Sequence, residues 1–177
     1  NSIELIGGEN IVVKNCQLGA QPTGITCKVQ EVNKLSFINN LVYPDGRENL
    51  VLDACNNCVI EGNNFKSYYN GILVLNGNDN TVNKNIFWLT GAVQNQLLDH
   101  GDDFGIINVK GNNNMVTSNS LSCEWAYAGA VTVNAVQGTG NVFKNCFVDN
   151  LESYRVFLVN AQTEVSNCVS SDKVSIV

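Results

Sequence analysis

Three charged side chains recur at one phase of the chain and could perform acid–base chemistry. Glu4 lies between apolar residues in the opening "NSIEL", so strand alternation turns its neighbours to the core and Glu4 outward. Counting eleven residues back from the recurring asparagines gives Glu4 and Lys28, and the same count from Asn64 gives Asp53. Such a row could exchange protons with a substrate, because neighbouring charges tune proton affinity. The default hypothesis is a charge ladder that keeps a flat sheet soluble.

A second candidate cluster is "LDHGDDFG", which contains Asp99, His100, Asp102 and Asp103. Carboxylates and a histidine can hold a metal, but the strict ligand spacing of a known site is absent. Asp and Gly are also ordinary residues for a turn that leads into a strand. We therefore assign no metal here, and expect a loop anchor or a rim that contacts substrate.

The seven cysteines and the aromatic residues offer further chemistry. Cys55 and Cys58 form a C-x-x-C, but no second ligand pair follows at zinc-site spacing, so we expect no metal there. Small buried hydrophobic thiols in a reducing setting are the simpler interpretation. Some aromatic side chains could stack on sugar rings, although in short strands they more often form core or subunit contacts; these are Tyr68, Tyr69, Trp88 and Trp125.

Charge and composition narrow the classes of ligand. The net charge is −6, and the two arginines, Arg47 and Arg155, do not form a cluster, which argues against nucleic acid and polyanionic substrates. No apolar run is long enough to cross a bilayer, so no membrane span is expected, and the sequence does not predict a compartment. The acidic composition is most compatible with a neutral ligand, and we expect no cofactor.

An internal repeat organises the elements that must position these residues. Each unit has a short apolar strand, a Gly/Asn turn, a second short strand and then an asparagine. The recurring asparagines are Asn15, Asn39, Asn63, Asn85, Asn119, Asn145 and Asn167. A period in the low twenties, built from short strands, is typical of a parallel β-helix. A β-sandwich also has many short strands, but it does not demand one residue at one phase of every unit.

We therefore predict an all-β chain in which residues 1–177 form one right-handed parallel β-helix of about seven coils. The wider gap between Asn85 and Asn119 predicts an inserted loop at about residues 88–104, where solenoids often build binding sites. Strand character already at residue 3 leads us to expect the C-terminal part of a longer β-helix, because solenoid ends otherwise expose strand edges.

Several segments resemble the C-terminal half of inulin fructotransferases. They are "NSIELIGG", "NNLVYP", "YNGILVLNGNDNTVNKNIF", "GDDFG" and "INVKGNNNMVTSNSL". The resemblance spans nearly the whole chain, although most matching residues belong to the repeat. It implies a trimeric β-helix with active sites between subunits. It also implies intramolecular fructosyl transfer on inulin that releases a cyclic difructose anhydride, or hydrolysis of that anhydride by close relatives.

The resemblance also implies roles for particular residues. Glu4 corresponds to one of two catalytic carboxylates, and the partner aspartate is expected about eleven residues upstream, before Asn1. The family pattern of Asp-Asp, an aromatic residue and Gly falls on Asp102 and Asp103, with Phe104 and Gly105, and implies a structural or substrate-rim role. We expect Lys28 and Asp53 to lie beside the substrate.

Two other classes of function compete with this hypothesis. A non-catalytic β-helix, such as a surface adhesin or a tail-fibre shaft, would use Glu4 only as a sheet charge. A polysaccharide lyase is disfavoured by the scarcity of arginine and the lack of a clear calcium carboxylate cluster. Residues upstream of Asn1 would discriminate the enzyme from a non-catalytic β-helix, because an aspartate at the matching position favours the enzyme.

Overall fold

The structure is a computed structural model and describes residues 2–19, 24–43, 48–69, 71–90, 104–123, 131–150, 155–169 and 174–176. Within these ranges it is all-β, with twenty-one short strands and no helix. In the same ranges, no segment therefore meets the length and apolarity that a membrane-crossing helix needs.

The strands form three sheets that the chain visits in turn. Sheet 1 contains β1 (Ile3–Glu9), β4 (Cys27–Asn33), β7 (Leu50–Asp53), β10 (Leu73–Asn76), β13 (Ile107–Val109), β16 (Val131–Ala135), β19 (Arg155–Val159) and β21 (Val174–Ile176). Sheet 2 contains β2 (Val12–Lys14), β5 (Ser36–Ile38), β8 (Val59–Glu61), β11 (Thr81–Asn83), β14 (Met115–Thr117), β17 (Val142–Lys144) and β20 (Glu164–Ser166). Sheet 3 contains β3 (Gln17–Leu18), β6 (Leu41–Val42), β9 (Asn64–Ser67), β12 (Ile86–Leu89), β15 (Ser120–Cys123) and β18 (Phe147–Asn150).

The pairing between successive repeats confirms the predicted parallel β-helix. Every described strand pairs in parallel with its equivalent one repeat along the chain; β2, for example, pairs with β5 and β5 with β8. The solenoid makes about five turns, so the predicted seven coils were slightly too many.

Two corners of each coil share one local design. A residue with positive φ turns the chain, and the following residue points inward. At the corner between sheets 2 and 3, the positive-φ residues are Asn15, Asn39, Gly62, Lys84, Ser118, Asn145 and Asn167. At the corner between sheets 1 and 2, they are Asn10, Lys34, Asn57, Asp79, Asn113 and Gly140. Asparagine and glycine favour this position because they tolerate the left-handed conformation.

The inward position forms an asparagine ladder along the solenoid axis. At the corner between sheets 2 and 3, the Oδ1 atoms of Asn63, Asn85 and Asn119 each accept the backbone N–H of the preceding rung at 2.8–2.9 Å. The recurring asparagines of the sequence therefore mix two positions. Asn15 and Asn39 occupy the turn, while Asn63, Asn85 and Asn119 occupy the ladder one residue later. The prediction of a single phase was wrong by one residue, because both positions favour asparagine for different reasons.

Stacked phenylalanine rings fill the centre beside the ladders. The rings of Phe37, Phe65 and Phe87 lie on consecutive rungs, with centroids 6.2 Å and 5.0 Å apart and nearly parallel planes. All three side chains are at most 1% exposed. The same residue type therefore stacks at the same position of consecutive coils. This stacking makes the coils rigid supports for outward-facing side chains.

The predicted insertion at 88–104 falls mostly outside the described residues. Strand β12 continues through Leu89, and the Thr90 N–H still donates to the Ser67 carbonyl at 2.8 Å. Residues 88 and 89 therefore belong to sheet 3, and the predicted start of the loop was too early. Phe104, the first described residue after this gap, has a buried side chain.

Candidate functional site

Glu4 and Lys28 lie next to each other on the outer face of sheet 1. They are direct partners in the pairing of β1 with β4, as the sequence predicted. The Lys28 Nζ lies 3.5 Å from the Glu4 Oε1, with the two side chains 32% and 46% exposed. Alternating burial along β1 turns Glu4 away from the core. The result is a solvent-accessible carboxylate held beside an ammonium group on a rigid strand pair.

Asp53 does not belong to this row, so the predicted alignment was wrong. Its partners on the neighbouring rungs are Gln30 and Asn76, and its carboxylate accepts from the Asn76 amide at 2.7 Å. Val51, two residues earlier, occupies the position beside Lys28. Counting from Asn64 caused the shift, because the positive-φ residue of that corner is Gly62. A two-residue error keeps the side chain outward but moves it along the strand.

The remaining rungs of this row are not charged. Val74 follows Val51, and Asn108 and Asn134 follow in turn. The Asn108 side chain is 3% exposed and bonds both the N–H and the carbonyl of Gly105 at 2.8 Å. Asn108 therefore holds the chain in place after the insertion, and Glu4 and Lys28 remain the charged end of the row.

The "DDFG" segment is described only in its second half. Asp102 and Asp103, like Asp99 and His100, lie outside the described residues. Phe104 packs against Gly71, where an added Cβ would lie 2.6 Å from the phenylalanine ring. The Gly71 N–H donates to the Gly105 carbonyl at 2.8 Å. The two segments quoted for the family resemblance thus meet through a glycine–phenylalanine contact, which is a structural role.

Two other carboxylate–lysine pairs provide a comparison for Glu4. Lys34 lies 3.1 Å from Glu9, and Lys84 lies 3.4 Å from Glu61, each across neighbouring rungs. The hydrogen bond and charge of Lys34 lower the pKa of the Glu9 carboxyl. Their lysines are 56% and 66% exposed, against 32% for Lys28. Lys28 is therefore the most shielded lysine of these three pairs, although its 3.5 Å contact with Glu4 is the longest of the three.

The cysteines continue the asparagine ladders, a pattern that the sequence-based predictions missed. The dipeptide Asn-Cys occurs at 15–16, 57–58, 145–146 and 167–168, each time with the asparagine at positive φ. The cysteine then takes the inward position that asparagine occupies on other rungs. Cys146 and Cys168 follow one another in this column, separated by one repeat. The shared Asn-Cys dipeptide is the sequence signal that could have identified this pair.

The thiols within two pairs interact. The hydrogen bond from Cys58 lowers the pKa of Cys55 to about 7, and the hydrogen bond from Cys146 lowers the pKa of Cys168 to about 6. The same bonds and burial raise the pKa of Cys58 and Cys146. Cys27, Cys55, Cys58 and Cys146 are buried as expected, whereas Cys168 is partly exposed. Among the described residues, no three His, Cys, Asp or Glu side chains converge as a metal site would require.

An aromatic and cationic row runs along the outer face of sheet 3. Lys66 pairs with Trp88 on the next rung, and its Nζ lies 4.3 Å from the centre of the indole ring. Tyr43 stands at the equivalent position of the preceding rung and is 40% exposed, and nearby Tyr68 is 47% exposed. Of the aromatics singled out from the sequence, Trp88 and Tyr68 therefore face the surface.

The fold and its outward charged pair define a β-solenoid that presents side chains from rigid parallel sheets. The chain belongs to the family described as "Periplasmic copper-binding protein (NosD)", whose sequence model matches residues 1–164. No curated protein matches the chain by sequence.

Solved structures match over almost the whole chain. DFA-IIIase from Arthrobacter chlorophenolicus A6 without its lid matches with a TM-score of 0.80 and 22% identity, over 95% of this chain and 45% of that chain. A point mutant in complex with DFA-III matches at 0.80 and 20%, over 96% and 48%. A complex with GF2 matches at 0.76 and 20%, over 96% and 45%. The chain thus spans about half the length of these relatives, and the predicted resemblance is confirmed as one of fold.

Proposed function

We propose that this chain is part of a carbohydrate-active enzyme that acts on fructan linkages, with Glu4 as an acid–base carboxylate. The observation that carries the proposal is the Glu4–Lys28 pair, an accessible carboxylate on the outer face of sheet 1. The "SIEL" segment contributes the resemblance to inulin fructotransferases. Fold neighbours crystallised with DFA-III and GF2 add support, because a similar scaffold binds these sugars.

The proposed reaction needs two proton-handling groups. One carboxylic acid protonates the departing glycosidic oxygen as its bond to the fructosyl anomeric carbon breaks. A second group removes the proton from the attacking hydroxyl, which belongs to the neighbouring fructosyl unit in transfer and to water in hydrolysis. Glu4 supplies one of these groups. The resemblance implies an aspartate before the position of Asn1 as the second group, and the proposal concerns the protein that contains both.

Lys28 has a positioning role in this proposal. An exposed ion pair contributes only about 0–1 kcal/mol to stability, so Glu4 can leave it at little cost when substrate arrives. The Lys28 ammonium can then donate to a sugar hydroxyl while its charge remains near the carboxylate. Asp102 and Asp103 are proposed to contact substrate from the rim. Asp53, which bonds Asn76, is not assigned to the site.

The test is difructose anhydride release from inulin by the full-length Glu4→Gln variant. Glutamine keeps the shape of the side chain but cannot exchange the proton, so the rate is expected to fall at least about a hundredfold. Glu9→Gln is the matched control, because Glu9 lies on the same strand and also pairs with a lysine. Near-normal turnover by a folded Glu4→Gln protein would remove the catalytic assignment.

We also propose that the complete protein assembles as a homotrimer with its sites between subunits. The family resemblance and the long flat faces of the solenoid support this assembly. Light scattering on the intact protein should give three times the mass of one chain, and a monomer would contradict the proposal.

The family to which the chain belongs is described as copper-binding. The described residues provide no cluster of three or more ligating side chains. The donors that remain are pairs of thiols, which are remote in sequence from Glu4. No step of the proposed fructan chemistry uses a metal.

A non-catalytic glycan-binding solenoid is the second candidate function. The row of Tyr43, Lys66 and Trp88 on sheet 3 favours it, because aromatic faces can stack on sugar rings. In that case Trp88→Ala would weaken inulin binding, and neither the wild type nor the variant would release product. If catalysis is the function, turnover is present and depends on Glu4.

A further inference from the structure

Two rows of outward side chains run side by side along sheet 1, two residues apart on each strand. Successive members of a row are one rung, about 4.8 Å, apart, and the rows are separated by about 7 Å, because alternate residues of a strand share a face. Together they form a strip four rungs long that begins at the proposed acid–base carboxylate. The first row is Glu4, Lys28, Val51 and Val74, and the second is Ile6, Gln30, Asp53 and Asn76.

The sheet 1 strip is open to solvent on these four rungs and ends at the fifth. Every side chain of the two rows is partly or fully exposed. On the next rung the outward Asn108 is 3% exposed and bonds both the N–H and the carbonyl of Gly105 at 2.8 Å. The strip therefore runs from Glu4 to Val74 and stops where the segment at Gly105 meets the sheet.

Asp53 is held at the middle of the strip by its neighbours on both sides. The Asn76 Nδ2 donates to one carboxylate oxygen at 2.7 Å, and the Gln30 Nε2 donates to the other at 3.4 Å. Both donors are neutral amides, unlike the lysines that pair with Glu4, Glu9 and Glu61 elsewhere. A carboxylate can accept about four hydrogen bonds, so Asp53 keeps capacity for further donors. Bonds to an ionised acceptor are stronger than those to a neutral one.

The two valines give the strip an apolar floor beside this polar row. Val51 and Val74 lie on the rungs of Asp53 and Asn76, two residues earlier on each strand. A sugar ring has apolar C–H faces and a rim of hydroxyl groups, so a ring lying on the valines would turn hydroxyls toward the carboxylate and the amides. An apolar surface with a few placed polar groups is the usual composition of a ligand site. The Asp53 charge and the net charge of −6 disfavour an anionic ligand.

We propose that the sheet 1 strip binds a part of the fructan chain that is not itself cleaved. Sugar rings lie over Val51 and Val74, and their hydroxyls donate to Asp53 and accept from the neighbouring amides. This inference rests on the proposed function, because Glu4 marks the reacting end. Val74 lies three rungs, about 14 Å, from Glu4, so the strip extends beyond the linkage that reacts. Asp53 is thus a substrate-binding residue separate from the acid–base pair.

The strip predicts that affinity depends on chain length. A long fructan whose end lies at Glu4 reaches the valines and Asp53, whereas the difructose unit alone leaves the far rungs empty. Removing Asp53 should therefore weaken binding of long chains only. A uniform loss for both ligands is expected instead if the substitution disturbs the fold around Glu4.

The test is isothermal titration of the full-length Glu4→Gln protein with a long inulin oligosaccharide and, separately, with the difructose unit of inulin. Adding Asp53→Ala should weaken binding of the long chain about tenfold and leave the difructose unchanged, since a hydrogen bond to a charged group is of that order. Glu61→Ala is the matched control, because it removes an outward carboxylate from sheet 2 and should change neither affinity. A linear glucan of equal length tests the sugar class, and equal binding would overturn the assignment to fructan.

Circular dichroism and thermal unfolding verify that each variant is folded. Asp53→Asn is the second variant, because it keeps the shape and the amide contacts but removes the charge, and it should weaken long-chain binding severalfold. Failure of the proposed function is read separately, as product release by the Glu4→Gln protein. The strip is overturned if folded Asp53→Ala binds the long chain as tightly as its parent, if Glu61→Ala loses as much, or if the parent binds long and short chains equally or binds neither.

Discussion

The asparagine ladder makes a quantitative prediction at its centre, Asn85→Ala. Asn85 is 1% exposed, and its Oδ1 accepts from both the backbone N–H and the side-chain amide of Asn63 at 2.9 Å. Its own Nδ2 donates to the Ile60 carbonyl at 2.9 Å. The Nδ2 also donates to the Asn119 Oδ1 at 3.0 Å, so alanine removes all four bonds and brings in no replacement. Water has little access, because the neighbouring ladder residues are equally buried.

The expected cost follows from the groups left behind. The Asn63 backbone N–H loses its acceptor and the Ile60 carbonyl loses its amide donor, whereas the Asn63 side chain keeps its bond to the Phe37 carbonyl. A buried polar group without a partner costs about 1–3 kcal/mol, so the free energy of unfolding should fall by about 3 kcal/mol. That is a large fraction of a typical stability of about 5–15 kcal/mol.

Urea unfolding followed by circular dichroism measures the total loss, and amide hydrogen exchange at Asn63 reports the local change. Asn64→Ala is the control, because Asn64 is exposed and should change stability by less than about 0.5 kcal/mol. Asn85→Cys should lie between the two, since cysteine occupies the same inward position on other rungs. If Asn85→Ala costs no more than Asn64→Ala, the ladder does not stabilise the solenoid as argued.

Two further substitutions test the packing of the coils by urea unfolding. Gly71→Ala should cost about 3 kcal/mol, because its φ is +76° and the added Cβ meets the Phe104 ring. Gly7→Ala has a similar φ of +67° and open space around the Cβ, so an equal loss there would disprove the clash. Phe87→Ala should cost about 3–5 kcal/mol by removing the ring stacked on Phe65, and a loss below about 1 kcal/mol would contradict the stacked core.

The candidate site was only partly predictable. Strand alternation placed Glu4 outward, and the repeat placed Lys28 beside it, because both depend on local periodicity. Asp53 was misplaced by two residues, since Gly62, Asn63 and Asn64 form a run in which the turn and ladder positions cannot be told apart by residue type. The register depends on which residue adopts positive φ, and the packed coil decides that.

The architecture could be predicted from residue types alone, because every coil repeats the same local chemistry. Short apolar strands, turn asparagines and inward asparagines specify the parallel β-helix in each unit. The contacts between distant rungs, in contrast, arise only when the coils pack. Phe104 against Gly71, and Cys146 above Cys168, depend on how loops and repeats of unequal length come into register. Local periodicity therefore encodes the solenoid, whereas the neighbours of a side chain across rungs exist only after the coils have stacked.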